Sequence, residues 1–266
     1  MASEPSTKPT NARRAARLRE IPMRIVVPNL VTLLAVCAGL TGIRLAFEQR
    51  FELAVAMVLI AALLDAADGR IARLLKGASK FGEQMDSLAD VVNFGVAPAL
   101  VLYAYLLDKA GALGWIAALM FAIACCLRLA RFNVMLEDVG GPAWKAAYFV
   151  GVPAPAGALL VLLPVYAGFL GLPHTPAFAF SASAFTVLIA FLMVSQVPVY
   201  SGKSGLRVRR DLVMPLILAI VLYVALLASY TWHAMAATAI VFLFFLPFSA
   251  AAYRRRELRE EENARE

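Results

Sequence analysis

The chain has 266 residues, 62% of them hydrophobic, and a formal net charge of +7; its mean hydropathy is +0.76. That is too apolar for a soluble domain and fits a polytopic membrane protein. The positive balance does not point to nucleic acid, because the basic residues flank apolar runs, where they meet anionic lipid headgroups.

The first dozen residues are polar, and no cleavable signal peptide is expected from them. Arg13, Arg14, Arg17, Arg19 and Arg24 then interleave with Ala16, Leu18, Ile21 and Met23. This reads either as an amphipathic stretch on the membrane surface or as a plain positive-inside flank. Eight apolar segments follow, at about Pro28–Phe47, Glu52–Leu75, Gly82–Leu107, Ala112–Met135, Pro153–Leu172, Thr175–Val197, Leu212–Ser229 and Thr231–Tyr253. Each is near the roughly 20 residues that cross a bilayer as a helix. The expected fold is an all-α, polytopic transmembrane bundle of about eight spans. With the N-terminus cytoplasmic, the inside segments collect Arg70, Arg73, Lys76, Lys80, Arg128, Arg131, Lys203, Arg207, Arg209, Arg210, Arg254 and Arg255; the outside loops hold Arg44, Arg50 and Lys109. This bias predicts both termini inside, in a cell inner membrane. The three cysteines, Cys37, Cys125 and Cys126, lie in apolar runs and read as packing residues.

The stretch from Asp65 to Asp90 breaks the apolar pattern with four aspartates. Asp65 and Asp68 are three residues apart, and Asp86 and Asp90 four, so on helices each pair shares a face. Carboxylates at the edge of a hydrocarbon phase are costly without a cation or a function. Converging carboxylate oxygens suit a hard divalent ion, Mg²⁺ or Mn²⁺. Gly69 and Arg73 continue the first face at four-residue steps. A glycine lets a phosphate approach the backbone, and an arginine can pair with it. Any one of these aspartates alone would read as a solvated helix end.

Asp65-x-x-Asp68-Gly69-x-x-Ala72-Arg73, eight residues, then Gly82-x-x-x-Asp86-x-x-x-Asp90 resembles the signature of the CDP-alcohol phosphatidyltransferases at all eight of its positions. Three further stretches resemble the membrane-bound phosphatidylserine synthases within that family. They are Phe94-Gly95-Val96-Ala97-Pro98, Arg128-Leu-Ala-Arg131-Phe132-Asn133 and Phe149 to Ala156, the last departing at Val152. The resemblance implies a six-helix core over 25–200, preceded by the 1–24 segment. A loop with two further spans over 201–253 and a charged tail over 254–266 follow it.

It further implies that two divalent ions serve the site, one held by Asp65, Asp68 and Asp86, the other by Asp65, Asp86 and Asp90. Asp90 would take the proton from the incoming hydroxyl. Gly69, Arg73 and a loop serine, Ser79, would contact CDP-diacylglycerol; Ser79 also suits a helix cap. Asn29 and Thr32 read either as part of a Pro28-led helix start or as nucleotide contacts. Arg128 and Arg131 read either as headgroup anchors or as a grip on the serine carboxylate or the lipid phosphate, with Asn133 assisting or ending the helix. The implied reaction is CDP-diacylglycerol plus L-serine giving phosphatidylserine and CMP. One alternative changes only the acceptor, to glycerol 3-phosphate, inositol phosphate or choline. Another is a non-catalytic transporter or lipid-binding scaffold with an acidic cation site. A homodimer is implied by the resemblance alone. His174 and His233 fall on the opposite membrane face and are poor candidates for chemistry.

Overall fold

The computed structural model describes residues 23–77, 79–137, 148–200 and 210–263. The basic N-terminal stretch, the 201–209 loop and the last three residues of the tail lie outside these. Among the described residues, ten α-helices follow in order: α1 (Met23–Phe47), α2 (Phe51–Leu74), α3 (Lys80–Asp90), α4 (Ala97–Tyr105), α5 (Ala112–Glu137), α6 (Ala154–Val161), α7 (Leu163–Phe169), α8 (Pro176–Val194), α9 (Arg210–Ser229) and α10 (Thr231–Asn263). A π-helical turn, Val91–Val96, joins α3 to α4, and a 3₁₀ turn, Leu107–Ala110, follows α4. Two short strands, β1 (Tyr148–Val150) and β2 (Pro198–Tyr200), pair antiparallel.

Six of the apolar segments form helices long and apolar enough to cross a membrane: α1, the run from α3 through α4, α5, α8, α9 and α10. The second expected span, α2, carries Asp65, Asp68, Arg70 and Arg73 in its last turns. The fifth expected span is shorter, Ala154–Phe169, and is broken at Leu162 ahead of Pro164. A proline within an apolar helix removes a backbone bond and interrupts it there.

Small residues bring α1 and α2 together. Ala35, Ala38, Gly42 and Ala46 are buried on α1, facing Ala54, Val55, Val58 and Ala61 on α2. A side chain at Gly42 would stand 3.0 Å from the carbonyl oxygen of Ala54. Between apolar helices in lipid, such close backbone approach supplies the van der Waals attraction that holds a bundle together. Behind this pair, α4 packs on α5, and α5 and the 3₁₀ turn pack on α8; the core continues through Phe94, Leu102, Phe121, Leu162, Tyr166 and Ile189. Helix α9 stands outside this core, exposed along its apolar length and tied to α10 by Tyr223 and Thr238, whose hydroxyls are 2.8 Å apart.

The end of the bundle away from the aspartates is aromatic. Tyr105 meets Phe51, Phe169 and His174 edge to face, and Lys109 donates to the His174 carbonyl. His174 therefore sits far from the acidic stretch, as expected.

The start of α1 differs from the sequence expectation. The helix begins at Met23, so Pro28 lies inside it and not at its first position. Proline cannot donate to the carbonyl four residues earlier, that of Arg24. That carbonyl faces the loop after α2, against Gly77, where a side chain would overlap it.

Candidate active site

Three elements bring the acidic stretch together. The last turns of α2 carry Asp65, Asp68, Gly69 and Arg73; α3 carries Gly82, Asp86 and Asp90; α1 supplies Asn29 and Thr32 opposite both. Ser79 starts α3, its Oγ accepting from the Gly82 amide at 3.0 Å, so the cap reading of this residue holds. A side chain at Gly82 would come within 2.9 Å of Asn29 Oδ1 and 3.2 Å of Ser79 Oγ and push these side chains aside. The small residue thus lets the first turn of α3 close onto α1.

Carboxylate oxygens of Asp65, Asp68 and Asp86 lie within 4.8 Å of one another. Asp68 is buried, and the Thr32 hydroxyl donates to its Oδ2 at 2.6 Å. Asp90, one turn further along α3, has its carboxyl in hydrogen-bonding reach of that of Asp65. Three carboxylates gathered this closely, with a fourth beside Asp65, repel one another at membrane depth unless a cation lies among them. The all-oxygen donor set is that of a hard divalent ion. One oxygen of Asp65, Oδ1, is buried with no protein hydrogen-bond donor. The residues present therefore fit Mg²⁺ or Mn²⁺.

Beside the carboxylates opens a cavity of about 260 Å³, lined by Pro28, Asn29, Thr32, Asp68, Gly69, Ala72, Arg73, Gly77, Ser79, Gly82, Glu83 and Asp86. All five residues that the sequence assigned to CDP-diacylglycerol line it: Asn29, Thr32, Gly69, Arg73 and Ser79. Nothing stands within 4 Å of where a Gly69 side chain would point, so this glycine leaves open space over the backbone and is not required by packing. Arg73 is exposed and has no salt bridge among the described residues.

The two arginines of α5, grouped in the sequence reading, separate in the structure. Arg128 is 7% exposed, its Nε has no partner, and its charge acts on Asp90. Arg131 turns away. Its guanidinium donates to the carbonyls of Val194 (2.8 Å), Ser195 (3.2 Å) and Val150 (3.4 Å), capping the end of α8 and fastening β1 to it. Asn133 donates to Ser87 Oγ at 3.0 Å, tying α5 to the aspartate helix.

Sequence reasoning did not single out Asn93, which is fully buried in the π turn three residues after Asp90. The signal available was a lone amide inside an apolar run on the Asp86–Asp90 side of the helix.

Comparison with known proteins agrees with this arrangement. The family model described as CDP-alcohol phosphatidyltransferase matches residues 25–197, and a second, CDP-alcohol phosphatidyltransferase 2, matches 211–247, which is most of α9 and α10. Three of the similar proteins carry the name CDP-diacylglycerol–serine O-phosphatidyltransferase. That of Mycobacterium leprae is 48% identical over 59% of this chain and 50% of its own length. The Helicobacter pylori protein is 41% identical over 52% of this chain and 56% of its own. That of Methanocaldococcus jannaschii is 35% identical over 67% of this chain and 77% of its own. The chain thus spans about half the length of the mycobacterial relatives it matches. A family model covering more than half of the sequence, laid over an acidic cluster and its adjoining cavity, shows that the chain belongs to the CDP-alcohol phosphatidyltransferase family.

Proposed function

We propose that this protein transfers the phosphatidyl group of CDP-diacylglycerol to the hydroxyl of L-serine, releasing CMP. The observation that carries the reading is the cavity in which Asn29, Thr32, Gly69, Arg73 and Ser79 stand beside Asp68 and Asp86. The names of the relatives support serine as the acceptor. So does Arg128, a buried cation whose field reaches Asp90 and whose Nε has no partner, since a guanidinium matches a planar carboxylate.

In this reading the cytidine end of the lipid nucleotide lies against Asn29 and Thr32. Gly69 admits the pyrophosphate to the backbone, and Arg73 pairs with its charge. The acyl chains stay in the bilayer between helices. Asp65, Asp68, Asp86 and Asp90 would hold two divalent ions, which when bound would supply charge neutralisation to the pyrophosphate and to the leaving CMP. Arg128 orients the acceptor through its carboxylate. Asp90 takes the proton as the serine oxygen bonds to the phosphorus bearing the diacylglycerol. The bond from that phosphorus to CMP breaks, and CMP carries away the electron pair. The site faces the cytoplasm, in keeping with the Lys and Arg bias of the loops.

An acceptor screen tests the reading. Purified protein with CDP-diacylglycerol and Mg²⁺ or Mn²⁺ is offered serine, glycerol 3-phosphate, inositol phosphate or choline in turn, and CMP release is measured. Serine-dependent release supports the reading. Release with another acceptor alone keeps the chemistry and rejects serine. No metal-dependent release with any acceptor rejects the enzyme.

A further inference from the structure

Among the described residues, five buried side-chain nitrogen or oxygen atoms lack a hydrogen-bond partner: Asp65 Oδ1, both amide atoms of Asn93, Arg128 Nε and the Tyr166 hydroxyl. Four of the five belong to residues around Asp90. A buried amide left with both ends unpaired costs about 1–3 kcal/mol per group, and such atoms in a native core are commonly bridged by an internal water.

Asn93 is held where it is. It lies in the π turn that begins immediately after Asp90, where the Ala97 amide reaches back to the Val92 carbonyl. Turns of this kind change the direction of the residues that follow them and are frequent at functional sites. Its Oδ1 is pressed against α1, where Gly39 makes room: a side chain at 39 would stand 2.5 Å from that oxygen. On α1, Gly39 lies two turns deeper than Thr32, which bonds Asp68. On α2, Asp65 lies one turn deeper than Asp68. Asn93 therefore sits beneath the Asp65–Asp90 pair, one helical turn further into the membrane. Across that turn, its unpaired amide donor and the unpaired Asp65 acceptor are complementary.

We propose that Asn93 is a positioning residue that seats a buried water against Asp65 Oδ1. The water accepts from Asn93 Nδ2 and donates to Asp65, fixing a carboxylate that would serve the ion site and that lies in reach of Asp90. Partners of this kind, one step behind a ligand, are worth about 10–100-fold in metal affinity or activity. The inference rests on the ion-site reading of the aspartates.

The experiment measures Mn²⁺ binding to the full-length, detergent-solubilised protein by electron paramagnetic resonance, beside turnover and thermal stability. Asn93→Leu keeps the volume and removes the amide. It is expected to bind Mn²⁺ at least tenfold more weakly and to turn over at least tenfold more slowly, with an unfolding midpoint equal to or above that of the wild type. Asn93→Ser, which keeps a hydroxyl and leaves room for water, is expected to recover most of both. Gly39→Ala displaces the Asn93 amide without altering it and is expected to weaken Mn²⁺ binding as Asn93→Leu does. The double variant with Asn93→Ser, which frees that space, is expected to restore it, and this pair remains informative if Asn93→Leu does not fold. Wild-type Mn²⁺ affinity and turnover in Asn93→Leu, or failure of Asn93→Ser to rescue Gly39→Ala, overturns the proposal while leaving the ion site intact. A wild-type protein that binds no Mn²⁺ overturns both.

Discussion

The separation of Arg128 from Arg131 can be measured by giving each the same change, to lysine. Arg131 makes three hydrogen bonds to main-chain carbonyls, two of them at 2.8 and 3.2 Å and the third, at 3.4 Å, near the limit of the interaction. A charged donor to a carbonyl contributes about 1.5–3 kcal/mol when sheltered. Arg131 is only half buried, so the lower figure applies to the two shorter bonds. Lysine has a single ammonium and keeps at most one of them. Arg131→Lys should therefore lose about 1.5–2 kcal/mol, which for a chain of this size lowers the midpoint by roughly 3–8 °C. Loss of serine-dependent CMP release after graded heating reads this out, because membrane enzymes seldom refold on cooling. Its Michaelis constant for serine should stay within about twofold of wild type. Arg128→Lys should show the reverse: a raised Michaelis constant for serine by about tenfold or more, with little change for CDP-diacylglycerol. The reasoning fails if Arg131→Lys is as stable as the wild type and binds serine poorly, for the guanidinium would then be acting on substrate.

Asp86→Asn should abolish turnover at ordinary metal concentrations. Asp90→Asn should lower the maximal rate by about a hundredfold or more yet leave the Michaelis constant for CDP-diacylglycerol nearly unchanged; the same constant rising at a normal maximal rate would make Asp90 a ligand only. Gly69→Ala meets no neighbour, so its thermal midpoint should match wild type while the Michaelis constant for CDP-diacylglycerol rises several-fold; an unaffected constant would show that no phosphate approaches there. Thr32→Val removes the 2.6 Å bond to Asp68 and should weaken Mn²⁺ binding by about tenfold, measured by titration without substrate.

The acidic site was legible because its information is local. Helical spacing alone puts Asp65 beside Asp68 and Asp86 beside Asp90, and Ser79 three residues before Gly82 is a cap that can be recognised within one turn. What stayed hidden depends on groups distant in the chain. Arg131 finds its acceptors at the end of α8, carbonyls that carry no side-chain signature. Asn133 reaches Ser87 on α3, a pairing that spacing within α5 cannot suggest. Asn93 marks the Val91–Val96 stretch as unusual, but nothing in it signals a π turn, since the same residues would continue an ordinary helix. The fifth span read as one helix because its apolar run is continuous, while the break at Leu162 follows from the backbone at Pro164.

Pro28 and Gly77 make one joint from two segments of chain. The proline leaves the Arg24 carbonyl without its helical donor, and the glycine lets the loop after α2 lie against that carbonyl. Substitutions at the two positions should therefore be strongly non-additive. Alanine at 77 forces the loop away and widens the mouth between Asn29 and Ser79. Alanine at 28 restores a donor to the Arg24 carbonyl and draws it back toward its own helix, which returns some of that room. Gly77, a glycine in the wall of the cavity, thus acquires its intolerance from a proline in a different helix, and the entrance to the cavity should inherit its width from the pair.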